Sequence, residues 1–156
     1  IMGCGKAAGG GILPVAFVAG RDDIIGVLTP GSEGSTFGGY PLASVVGIYA
    51  IKSLIDEQLT KNANIRGEQL INGLNEVRND FPDKIKEVRG KGLLTAFEMH
   101  PASHLDGHKV SVNLLSKGIY AKETHYSTMR LAPALTINES QINILLMAIR
   151  EVIKDI

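Results

Sequence analysis

Lys6 stands among glycines in GCGKAAGGG, residues 3 to 11. Glycine has no Cβ, so such a loop lets the backbone approach a ligand closely. A lysine there can hold a phosphate as a point charge or attack a carbonyl as an amine. Amines become nucleophilic where desolvation or a neighbouring cation removes their proton. A Walker-type phosphate loop fits poorly, because Ala7 stands where a serine or threonine should follow the lysine. A dinucleotide fingerprint read as Gly3, Gly5 and Ala8 lacks a preceding strand. A solvated lysine in a flexible glycine loop is the alternative these residues leave open.

A second loop, GSEGSTFGG at residues 31 to 39, runs into Pro41 and a helical pattern. The hydroxyls of Ser35 and Thr36, with free N–H groups near a helix start, suit phosphate or another anion. An ordinary loop with helix caps reads the same way. A third candidate is Arg130, between apolar residues in MRLAP. A buried arginine needs a partner, and its planar fork grips carboxylates at two points. A structural salt bridge and a substrate carboxylate both satisfy that requirement. Arg89 in VRGKGLL carries the same ambiguity, and a structural role is expected there. His100, His104 and His108 have i, i+4 spacing, but Pro101 and Gly107 interrupt a continuous helix. A surface loop is expected instead, and no metal site.

The elements that must position these residues can be read from pattern. Ile12 to Ala19, ILPVAFVA, is apolar, short and flanked by glycine, which predicts a buried strand. Arg21 to Leu28 reads as a short helix or turn, and Thr29 to Gly39 as a loop. Pro41 suits the first turn of a helix running to about Gln58, with Leu42, Val45, Val46, Tyr49, Ile51, Leu54 and Ile55 at roughly helical spacing. A second helix, Lys61 to Phe81, carries Ile65, Leu70, Leu74 and Val77 on its apolar face and stops at Pro82. Strands are expected at Ile85 to Val88 and Leu93 to Met99, split by Gly90-Lys91-Gly92. A helix capped by Asp106 spans Gly107 to Lys117. Strands follow at Ile119 to Lys122 and Met129 to Leu131. A last helix opens at Asn138 with Gln141 three residues later, a capping box. The order from residue 61 predicts an α/β domain with helices covering a largely antiparallel sheet.

The charge balance is even, with 16 Lys and Arg against 16 Asp and Glu in 156 residues. Nothing in it draws the chain to nucleic acid or to an anionic membrane. No run approaches the ~18 consecutive apolar residues of a membrane helix. The first twenty residues are apolar but lack the basic leader of a signal peptide. One cysteine, Cys4, excludes an intrachain disulfide and fits a reducing compartment. A glycine loop that opens with almost nothing before it suggests that further sequence lies upstream.

Together the motifs resemble those of class III pyridoxal-phosphate (PLP) aminotransferases. GKAAGGG followed by ILPVAFVA is similar to that family's GKALGGG-x-x-P, and GSTFGGYPLAS to its GSTFGGNPLAS. VRGKGLL and RLAPAL follow in the family's order, so the resemblance covers essentially the whole chain. Within the family, GIYAKETHYSTMRLAPAL is most similar to the ornithine aminotransferases, with acetylornithine and aminobutyrate aminotransferases as near neighbours.

The resemblance implies an α/β fold of the PLP-dependent transferase type I. Residues 1–40 would be the tail of the large cofactor domain, 41–60 a connecting helix, and 61–156 the small C-terminal domain. It implies that Lys6 is the Schiff-base lysine for PLP and moves the proton at the substrate Cα. Thr36, with Ser35, would bind the cofactor phosphate of a neighbouring subunit in a homodimer. Arg130 would bind the α-carboxylate of glutamate or 2-oxoglutarate. The expected substrates are amino acids and 2-oxo acids, and the expected reaction is δ-amino transfer from ornithine. The expected compartment is the cytoplasm, or the mitochondrial matrix in a eukaryote. The sequence departs from the family at Tyr40, for the asparagine of GGNP, and at Ala134, for the second proline of APPL. The family's aspartate for the pyridine nitrogen, its ring-stacking aromatic and its upstream phosphate contacts all precede the lysine, so this chain alone is expected to be inactive. Another class III aminotransferase, a non-catalytic remnant and a phosphate-binding module are the rival readings.

Overall fold

A computed structural model describes residues 1–156, which form two compact units, Ile1–Gln58 and Leu59–Ile156. In the first unit, strand β1 (Met2–Cys4) pairs antiparallel with β2 (Phe17–Ala19), in the register Met2 to Ala19 and Cys4 to Phe17. The chain between them winds tightly. Lys6–Gly9 forms a turn of 3₁₀ helix, and Gly10 and Gly11 follow at φ +62° and +78°. The N–H groups of Ile12 and Leu13 then both bond to the carbonyl of Gly9. This corrects the strand expected over Ile12 to Ala19: only its last three residues are extended. The glycines curl its start into a turn, Pro14 has no N–H to give a ladder, and Ile12 is exposed. The glycine loop around Lys6 is likewise anchored by a strand that its composition hid.

Helix α1 (Asp22–Ile25) and a stretch of turns lead to α2 (Pro41–Asp56), which begins at Pro41 as expected. The apolar face expected on α2 is not buried within this chain. Leu42, Val45, Tyr49, Ile51 and Ile55 are exposed, and Gly47 is its one buried residue. Gly47 lies against Val15, where a Cβ would come within 3.2 Å of a Val15 methyl.

The second unit follows the expected order. Helix α3 (Leu59–Asp80) leads to β3 (Ile85–Lys91) and β4 (Leu94–Met99), then α4 (Gly107–Ser116), β5 (Lys122–Thr124), β6 (Thr128–Leu131) and α5 (Glu139–Asp155). The sheet runs β3-β4-β6-β5, antiparallel throughout. Leu70 and Leu74 of α3, Leu114 of α4 and Ile149 of α5 pack with Phe97 and Met129 in one core. Side chains alternate across a strand, so Ala96, Arg130 and Lys122 fall on the other face. Caps fix the helix starts: Asp106 accepts the His108 N–H, and Asn138 and Gln141 exchange the two bonds of a capping box.

Two strand boundaries differ from expectation. The β3–β4 turn is Gly92-Leu93 rather than Gly90-Lys91-Gly92. Gly90 is a strand residue opposite Thr95, where a Cβ would lie 2.5 Å from the Leu94 carbonyl oxygen. Strand β5 begins at Lys122, not Ile119. Residues 119 to 121 are tied to α4 instead: the Ile119 N–H donates to the Leu114 carbonyl, and the Ser111 hydroxyl donates to the Ala121 carbonyl.

Two glycine and threonine positions test this packing. A Cβ on Gly67 of α3 would sit 2.2 Å from the Gly92 carbonyl oxygen. Helix propensity alone favours Gly67→Ala by about 1 kcal/mol. The backbone clash reverses that sign, and a net loss of about 1–3 kcal/mol is expected in urea unfolding. The Thr95 hydroxyl is buried without a partner. Thr95→Val keeps the shape and removes the orphaned group, so a gain of about 1 kcal/mol is expected in the same assay.

Candidate active site

Lys6 occupies the left-handed region at φ +55°. A residue with a Cβ adopts this at a cost of about 1–2 kcal/mol, so the surrounding turn must impose it. The residue lines an open hollow of about 540 Å³, together with Gly11, Ile12, Leu13, Pro14, Val15 and Ala16. No carboxylate lines it, and Lys6 takes part in none of the chain's ion pairs.

Ser35 and Thr36 lie exposed in the turn that precedes α2. Their hydroxyls are not equivalent. Ser35 Oγ accepts the Phe37 N–H at 3.3 Å, while the Thr36 hydroxyl has no partner within the chain. The first helical bond of this region runs from the Ser44 N–H to the Tyr40 carbonyl. Pro41 has no donor, so the N–H groups of Leu42 and Ala43 are left for an outside acceptor. Ser35 also lines a second open hollow with Phe37, Gly38 and Tyr40, and that hollow shares Pro14 to Ala16 with the first. Thr36 lines neither. Tyr40 stands at the α2 N-cap with no side-chain cap bond.

Arg130 lies in the second unit, at the middle of β6. Met129 and Leu131 on either side are 0% and 4% exposed, so the strand anchors it firmly. Its own side chain is exposed and joins no ion pair. Arg89 behaves differently. It donates to Glu98 at 2.9 Å and to Glu87 at 3.2 Å, and Lys86 reaches the same Glu98 at 2.8 Å. The ambiguity shared by the two arginines thus separates: Arg89 is structurally paired, and Arg130 is unpaired. His100 serves as a cap for the Ala102 N–H, and His108 faces Glu123 at 3.5 Å.

One neighbour of Arg130 escaped the sequence reading. Lys122 is its cross-strand partner on β5, also exposed. The expected strand at Ile119 to Lys122 set the wrong register, and the alternation of Lys122 and Thr124 on one face would have been the signal.

Residues 1–153 match the family model for class III aminotransferases. The chain belongs to this family. Over 140 residues it is 39% identical to a mitochondrial ornithine aminotransferase of Arabidopsis thaliana, covering 88% of this chain and 30% of that protein. Ornithine aminotransferase from Plasmodium yoelii superposes with a TM-score of 0.91 at 34% identity, over 98% of this chain and 40% of that one. Acetylornithine aminotransferase from Elizabethkingia anophelis gives 0.91 at 35% identity, over 99% and 40%. The chain therefore spans about a third of the length of the relatives it matches.

Class III aminotransferases use PLP. The residues present fit this cofactor in kind. PLP needs an amine that no carboxylate neutralises, and Lys6 is one. Its phosphate needs hydroxyls and free N–H groups, and the turn before α2 offers both. No helix is long and apolar enough to cross a membrane.

The Glu98 cluster makes a pH prediction. Hydrogen bonds from Lys86 and then Arg89 hold the Glu98 carboxyl below its ordinary value of 4.5. A carboxylate lowered by folding stabilises the fold above its unfolded pKa and loses that effect as pH falls through its folded one. Glu98→Gln should therefore be less stable than the parent at neutral pH. Urea titrations at a series of pH values should show the two converging as pH falls below 4.5.

Proposed function

We propose that this chain is part of a PLP-dependent aminotransferase that moves the δ-amino group of ornithine to 2-oxoglutarate, giving glutamate semialdehyde and glutamate. The observation that carries the reading is Lys6: an unpaired amine in a strained turn beside an apolar hollow, in a chain whose residues 1–153 match the class III family. PLP, when bound, supplies the electron sink. Lys6 would hold the cofactor through its amine and, as a free amine, would carry the proton to and from the substrate Cα. The Thr36 hydroxyl, with Ser35 and the free N–H groups at the start of α2, binds the cofactor phosphate of a second subunit. Arg130 grips the substrate α-carboxylate with its planar fork.

The homodimer belongs to this reading, and the exposed apolar side chains of α2 support it. Leu42, Val45, Ile48 and Tyr49 form more uncovered apolar surface than a solvated helix usually carries. Residues 1–40 belong to the cofactor domain, 41–60 to a connecting helix, and 61–156 to the small domain. The compartment is the cytoplasm or the mitochondrial matrix, and the name of the plant relative supports the second for eukaryotic enzymes. Turnover would need residues beyond these 156, because no carboxylate lines the Lys6 hollow to meet the pyridine nitrogen.

The similarity to the Elizabethkingia enzyme favours acetylornithine as a second reading of the donor. Borohydride reduction of the full-length protein with PLP, followed by peptide mapping, tests the mechanism. Pyridoxyl label is expected on Lys6 and nowhere else, and Lys6→Ala should lose both label and activity. Label elsewhere, or none, would sink the reading. Single-turnover assays then separate ornithine from acetylornithine as donor, with ornithine expected to react faster.

A further inference from the structure

We propose that Lys122 is a second cation of the carboxylate site, and that it and Arg130 together hold one substrate carboxylate. The inference rests on the reading of Arg130 as a carboxylate binder and adds a residue to it.

Register carries the argument. Arg89 pairs with Ala96, Ala96 with Arg130, and Arg130 with Lys122, so the four form one row across β3, β4, β6 and β5. Side chains in such a row point to the same face. Directly opposed residues lie about 4.5–5.5 Å apart at Cα, close enough for two long side chains to meet at one anion. Like charges set opposite each other destabilise a sheet unless something neutralises them.

Every carboxylate of the sheet is engaged elsewhere. The four strands contain only Glu87, Glu98 and Glu123. Glu87 bonds to Arg89. Glu98 is shared by Lys86 and Arg89. Glu123 pairs across to Met129, so it points to the opposite face from Arg130, and there it meets His108. Arg130 and Lys122 therefore remain as an adjacent, exposed and unneutralised pair. Ala96, on the other side of Arg130, contributes only a methyl group and so separates this pair from the neutralised Arg89 cluster.

The chemistry follows from the two head groups. The guanidinium takes both oxygens of a carboxylate in plane, and the ammonium adds a point charge on one oxygen from the side. A ligand needs one carboxylate, not two, to engage both.

The test uses the 156-residue chain and 2-oxoglutarate, at constant ionic strength set with chloride. Backbone amide shifts at residues 122 and 130 report the binding. Lys122→Gln is expected to weaken it about five-fold. Lys122→Arg should restore it, and 2-oxobutyrate, with one carboxylate, should show the same ratio between the variants. Arg130→Gln should abolish the shifts. Circular dichroism checks that each variant keeps its fold, which an exposed position should allow. Unchanged affinity in Lys122→Gln, with binding lost in Arg130→Gln, would overturn this inference and leave the role of Arg130 standing. Unchanged affinity in both variants would overturn both.

Discussion

The two-residue period of β6 is the constraint on which the second unit depends. Met129 and Leu131 are buried among helices α3, α4 and α5, so the residue between them must face the other way. A slip of one residue would turn Arg130 into the core face that Met129 and Leu131 now fill, and burying its charge there would cost several kcal/mol. Burial thus enforces the exposure of Arg130. The same period on β5 brings Lys122 beside it, and on β4 it brings Ala96. One register decision sets the core and the charged face together.

Charge pairing on that face then sorts cations by role. Glu87 and Glu98 engage Lys86 and Arg89. Each bond at this exposed surface is weak, and salt screens it. Its consequence is more selective than energetic. The pairing occupies the anions that could otherwise fold over onto Arg130. In the proposed site, a ligand carboxylate would meet a cation that it need not first free from an internal partner, which would lower the cost of binding.

Much of this was legible in the sequence. Periodic apolar residues gave α3, α4 and α5, and their caps at Asp106 and Asn138 fixed the starts because side-chain acceptors there have one local solution. Lys6, Ser35, Thr36 and Arg130 stood out as candidates by composition. The missed features are those decided at a distance. Strand β1 has no signal of its own, since MGC becomes a strand only by pairing with residues 17 to 19. Glu87, two residues before Arg89, is the local part of that arginine's pairing, but Glu98 lies across the sheet, where no local pattern reveals it. The apolar run Ile119 to Ala121 reads as the start of β5, yet its backbone groups bond to α4. The exposure of the apolar side chains on α2 is not legible for a related reason: apolar spacing announces that a helix can be covered, not by what.

Burial separates the two units physically. The second has a core of seventeen buried apolar residues. The first has no such core, and its buried residues are Gly9 and Gly47, which contribute close packing but no apolar side chain. Hydrophobic burial is the main term that offsets the entropy of ordering a chain. A left-handed Lys6 adds strain that needs surrounding structure to maintain it. The short β1–β2 ladder and the Val15–Gly47 approach supply some of that support. Cover for Leu42, Val45, Ile48 and Tyr49 by another protein surface would supply the rest. In the proposed dimer, order around Lys6 would then be coupled to assembly, whereas the face of β5 and β6 that carries Lys122 and Arg130 is held by its own sheet and core.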